Sequence, residues 1–135
     1  LQAEGCTNIL PLISDCADPS PGLGWRGLER RPLNERGAPD LILCLALMHH
    51  LVIGRNIPLD ELIGWLAGFG AELVIEFVGR DDPMVRQLLR HRADQDFDYS
   101  PDAMEAALAR HFGTVRRQSL ASGTRILYHA TAERE

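Results

Sequence analysis

Two adjacent histidines, His49 and His50, directly follow an apolar run from Leu41 to Met48 that reads as a central strand. Ligands of open parallel sheets gather beyond the carboxyl ends of the strands, so either imidazole is placed to orient a substrate or to take a proton near neutral pH. The alternative for each is a packed ring bonded to the next loop. Adjacent side chains on an extended chain point opposite ways, so the pair is not expected to chelate one metal, and no metal site is expected. Asp15 and Asp18 flank the end of an earlier apolar run. A carboxylate there can accept a hydrogen bond from an amine or a sugar, or simply open an Asx turn ahead of Pro19. Glu76, inside Val74 to Val78, is a carboxylate within an apolar strand. Burying it alone would be costly, so pairing inside the fold is favoured over substrate contact.

Gly22, Gly24 and Gly27 match the G-x-G-x-x-G pattern that can cradle a pyrophosphate at a helix N-terminus. That pattern needs a hydrophobic strand before it and a helix after it, whereas here Pro19-Ser-Pro21 precedes and Arg30-Arg31-Pro32 follows. Glycines of an irregular loop are the better reading. Cys44 sits in the apolar run as a small filler. There is no G-x-S-x-G, Walker lysine, H-E-x-x-H or EF-hand loop. All 14 basic residues are arginine, which excludes a Schiff-base lysine.

The elements that must position these groups alternate. Residues 7–14, with Ile9, Leu10, Leu12 and Ile13, predict a buried strand ending near Asp15, and residues 16–39 predict a long loop with one helical turn. Residues 40–48 predict a strand covered on both faces of a parallel sheet. Pro58, Asp60 and Glu61 followed by Leu62, Ile63 and Leu66 predict an amphipathic helix stopped by Gly68 or Gly70. A strand over 71–78, a helix opened by Asp82-Pro83 and a helix capped by Ser100 ahead of Pro101 come next. Residues 114–120 and 124–131, joined around Ser122-Gly123, predict an antiparallel hairpin. The fold class is therefore α/β: a mostly parallel, Rossmann-like sheet flanked by helices, with a C-terminal antiparallel β-hairpin.

Composition sets the limits. With 135 residues, 45% hydrophobic and 24% charged, the chain suits one soluble domain or a large piece of one. A net charge of −5 argues against a broad nucleic-acid surface. Cys6, Cys16 and Cys44 form neither a disulfide framework nor a zinc-finger spacing, so a cytoplasmic location is expected. Leu41 to Ile53 is too short to cross a bilayer, so no membrane partner is expected. The opening at Leu1-Gln2-Ala3, without Met, reads as a fragment or a processed product.

The order of elements resembles the C-terminal portion of a class I S-adenosylmethionine-dependent methyltransferase, whose Rossmann-like sheet ends in an antiparallel hairpin. Asp40 to Leu51, with its Asp-Leu-Ile-Leu start and His-His-Leu end, is similar to that family's fourth strand, and Glu72 to Val78 to its fifth. The loop from Asp18 to Trp25 is similar to a bacterial branch that includes nodulation-type methyltransferases. The family's glycine-rich first motif and the acid that holds the ribose have no match here. The resemblance implies one α/β domain of which residues 1–135 are the rear portion, with weak or absent S-adenosylmethionine binding by this portion alone. It further implies that Asp15 and the Cys16 backbone lie near adenine, that Leu45 and Ala46 line the cofactor face, and that His49 or His50 faces a methyl acceptor. The acceptor and the oligomeric state are left open. The competing reading is a non-catalytic α/β module that binds a protein partner through the arginine-rich loop 26–36.

Overall fold

The computed structural model describes residues 8–90, 92 and 97–132; Cys6 and Thr7 lie outside them. The chain divides into two compact units, one reaching to Leu33 and the other beginning at Asn34.

Among the described residues of the first unit, the strand expected over residues 7–14 is not present at 8–14. This stretch is irregular, with Leu10 80% exposed. Pro11 interrupts the apolar run and has no N–H to give to a ladder, which disfavours a buried strand at that point. Asp15 opens an Asx turn, its Oδ1 accepting the Ala17 N–H at 2.9 Å. The G-x-G-x-x-G stretch closes on itself through paired backbone bonds between Leu23 and Arg30, both 3.0 Å, around a short 3-10 turn at Trp25–Gly27. Gly24 and Gly27 take φ of 85° and 72°, where side chains are disfavoured, so these glycines serve a tight turn that neither a strand precedes nor an α-helix follows.

The second unit is built on a mixed four-stranded sheet flanked by helices. In chain order it comprises β1 (Leu41–Cys44), a π-helical turn (His50–Gly54), α1 (Leu59–Ala67), β2 (Glu72–Val78), α2 (Pro83–Arg90), α3 (Pro101–His111), β3 (Thr114–Ser119) and β4 (Arg125–Thr131). The strand order is β1-β2-β4-β3, and only β1 and β2 run parallel. The expectation of a mostly parallel sheet is therefore corrected. The short turn after β3 reverses the chain, and β4 inserts antiparallel between β2 and β3. The expected terminal hairpin is present, with Thr114 opposite Thr131 and Ser119 opposite Ile126.

One face of this sheet carries the core. Leu73, Ile75 and Phe77 of β2, Tyr128 and Ala130 of β4 and Cys44 of β1 are buried, in register with one another. Met104, Ala107 and Leu108 of α3 and Leu62, Ile63 and Leu66 of α1 are buried at helical spacing. A Cβ at Gly64 would stand 3.1 Å from the His111 ring, so glycine permits the close approach of α1 to α3. The local signals act as read: Ser100 Oγ accepts the Ala103 N–H at 3.1 Å, with Pro101 in the first turn of α3. The strand β1 is shorter than expected, and it is not covered on both faces: Leu43 is 63% exposed, with Leu41 and Leu45 exposed on the same side. Among the described residues no helix is long and apolar enough to cross a membrane.

Candidate functional site

The chain leaves β1 at Cys44 and turns sharply. Ala46 adopts φ of 51°, a left-handed conformation that a residue with a Cβ does not favour unaided. Its N–H donates to Glu76 Oε2 at 2.7 Å, which ties the exit of β1 to the neighbouring parallel strand. Glu76 is buried, and its other oxygen accepts from Arg125 Nη1 at 3.3 Å. Arg125, at the start of β4, also donates through Nε to Asp82 Oδ2 at 2.9 Å. Asp82 is buried as well: Oδ1 accepts the Met84 N–H at 3.0 Å in the first turn of α2, and Oδ2 also accepts from Thr124 Oγ1 at 3.2 Å.

One guanidinium thus joins two buried carboxylates and, through them, the exit of β1, the end of β2, the start of α2 and the start of β4. Charge-assisted hydrogen bonds of this kind compensate for burial of the carboxylates. Burial opposes ionisation of Asp82, but the bonds from Arg125, Met84 and Thr124 outweigh it and hold the carboxyl below its usual range. The same bond to Asp82 raises the Arg125 guanidinium further. Pairing, the favoured reading for Glu76, is what the structure shows.

His49 lies beside this network. It is 2% exposed, and its Nδ1 is buried with no hydrogen-bond partner among the described residues. Burial first, then the neighbouring His50 and Arg125, push its pKa down to about 4, against smaller opposing effects of Asp82 and Glu76. The ring is therefore neutral at pH 7. A base that weak takes little proton at neutral pH, so His49 is suited to orienting a partner by hydrogen bonding rather than to abstracting a proton. The two imidazoles do not point to opposite faces as an extended chain would place them. Helical turns begin at Met48, which puts the rings side by side, with centroids 4.1 Å apart and planes at 40°.

Of the residues singled out in the sequence, the second unit brings together Leu45, Ala46, His49 and His50 on one stretch after β1, with Glu76 bonded to it. Asp15 and Cys16 belong to the first unit, where Asp15 has its Asx-turn role and Cys16 is half-buried. Sequence reasoning read Asp82 only as a helix opener and passed over Arg125. The available signal was a lone arginine at the head of the apolar strand Ile126 to Ala130, a place where a buried acid on a neighbouring strand finds its counter-charge.

The chain is 37% identical over 121 residues to Nodulation protein NoeA of Rhizobium meliloti (strain 1021), a match covering 90% of the chain and 25% of that protein. It therefore spans about a quarter of the length of the curated relative it matches. This similarity agrees with the nodulation-type resemblance carried by the loop from Asp18 to Trp25. No protein-family model matches the chain. No solved structure matches it.

Proposed function

We propose that this chain is part of a cytoplasmic, nodulation-type methyltransferase that transfers a methyl group from S-adenosylmethionine to an acceptor. The observation that carries the reading is the exposed, left-handed turn at Leu45 and Ala46, at the carboxyl end of a parallel strand pair, with a buried neutral imidazole three residues on. Such ends are where α/β sheets take nucleotide-like ligands. The residues present suit the cofactor: Leu43 and Leu45 offer exposed apolar surface, and His49 Nδ1 is a buried polar atom with a bond still to make. When bound, the cofactor supplies a methyl group on a sulfonium, activated for in-line displacement. The protein's own contribution is alignment, which in such a transfer outweighs covalent catalysis. In this reading Leu45 and Ala46 line the cofactor face, and His49 or His50 orients the acceptor. Isothermal titration of S-adenosylhomocysteine into the intact protein, meaning the longer polypeptide of which residues 1–135 are part in this reading, tests it: saturable heat is expected, and none at about 1 mM ligand, the limit of weak specific binding, contradicts it.

A second reading is favoured by a different observation. In the closed loop of the first unit Trp25 is 77% and Leu28 74% exposed, beside Arg26 and Arg30. Exposed tryptophan and arginine are the residue types that dominate protein–protein contacts. The loop would then dock a protein partner, with Arg30 and Arg31 meeting its acidic groups. Charge reversal by R30E and R31E together is expected to weaken binding at least about tenfold, as loss of paired interface charges does. Unchanged partner binding in a pull-down with the double variant would dispose of it.

A further inference from the structure

We propose that Glu76 is a positioning residue: its buried carboxylate, steered by Arg125, holds the turn at Leu45 and Ala46 in the shape that a ligand meets. The inference rests on the methyltransferase reading only for the identity of that ligand.

A left-handed alanine is disfavoured by contact between its Cβ and the backbone, so this turn needs an external hold. The 2.7 Å bond from the Ala46 N–H to Glu76 Oε2 is such a hold, and an ionised acceptor makes it a strong one. The carboxylate is not free to swing away. Its backbone is fixed in β2, in register with Leu127 of β4, and Oε1 is engaged by Arg125, which Asp82 in turn anchors. An ion pair that served only to neutralise charge would need Arg125 and Glu76 alone. Here the second oxygen reaches across to the exposed exit of β1, where neither strand ladder extends, since β1 pairing ends at Cys44 with Ile75. The hold on Ala46 therefore depends on an ionised acid at position 76, and the shape of the turn depends on that hold.

The test uses the intact protein with 15N labelling and the variants E76Q, E76A and D60N. Asp60 ties α1 to Arg110 of α3 and does not touch the turn, so D60N controls for loss of stability alone. The Ala46 amide chemical shift and its hydrogen exchange are followed at pH 7, and S-adenosylhomocysteine affinity is measured by calorimetry. In the native protein and in D60N the Ala46 amide is expected downfield and protected from exchange. In E76Q the acceptor oxygen is kept but the charge is lost, so the amide moves upfield and affinity falls a few-fold. In E76A the acceptor is lost too, the amide exchanges freely, and affinity falls about tenfold or more, as for a hydrogen bond to a charged group. An Ala46 amide that keeps its native shift in E76Q overturns the proposal, as does unchanged affinity in E76A. If the native protein binds no S-adenosylhomocysteine, the methyltransferase reading fails. The positioning claim is then decided by the Ala46 shift and its change in E76Q, which also decides it if E76A does not fold.

Discussion

Replacing Tyr99 by alanine is expected to lower the unfolding free energy by about 4 kcal/mol, in the range for truncating a large buried aromatic. Tyr99 is fully buried, stacks on Phe77 with centroids 4.9 Å apart, and donates its hydroxyl to the Val78 carbonyl at 2.6 Å. It therefore fastens the segment before α3 to the end of β2. Burial pushes its pKa upward, so the hydroxyl remains a donor throughout the accessible range. Tyr99→Phe keeps the stacking and leaves the carbonyl without that donor, at an expected cost of about 1–2 kcal/mol. Urea unfolding of both variants measures the two contributions. A loss below about 1 kcal/mol in Tyr99→Ala, the ordinary size of a surface substitution or less, would contradict the packing described.

Acidification is expected to destabilise the protein through His49. Its folded pKa of about 4 lies below the unfolded value near 6.5, so the unfolded chain takes up a proton that the native ring refuses. The stability that the neutral ring preserves is fully present above pH 6.5, declines as pH falls, and is lost by about pH 4. The loss amounts to about 2 kcal/mol by pH 5 and about 3 kcal/mol over the whole window. The charged groups facing the ring are His50, Arg125, Asp82 and Glu76; burial is the largest effect, His50 and Arg125 act with it, and Asp82 and Glu76 oppose it. His49→Gln removes the proton and keeps a polar side chain. Its denaturation midpoint is expected to vary less between pH 7 and pH 5 than that of the native protein, and equal dependence in both would contradict the buried neutral state.

Several elements of the fold were legible because their signals are local. Ser100-Pro101-Asp102 announces α3 through a cap and a fixed proline φ, and Ser122-Gly123 announces the hairpin turn. The apolar run at residues 9–13 misled because a strand is defined by its neighbours as much as by its own residues, and Pro11 already weakened it. The same limit hid the mixed sheet: the residue pattern predicts a strand over residues 124–131, but not that it inserts beside β2. His49 and His50 were found from the end of an apolar run, yet their geometry was misjudged because β1 ends at Cys44 and the chain is already helical at Met48. Glu76 was flagged by its polarity in an apolar strand. Its partners lie 30 and 49 residues away in the chain, a distance over which sequence pattern carries no signal.

The most direct test of the central claim, that the exit of β1 is where S-adenosylmethionine meets this protein, is photo-crosslinking of the radiolabelled cofactor to the intact protein, followed by tryptic mapping. Arginine occurs at positions 36 and 55 with no lysine between, so residues 37–55 leave as one peptide that contains Leu45, Ala46, His49 and His50. Label in that peptide, displaced by excess unlabelled S-adenosylhomocysteine, is the result predicted. Absence of displaceable label from residues 37–55, with or without label elsewhere, would contradict it.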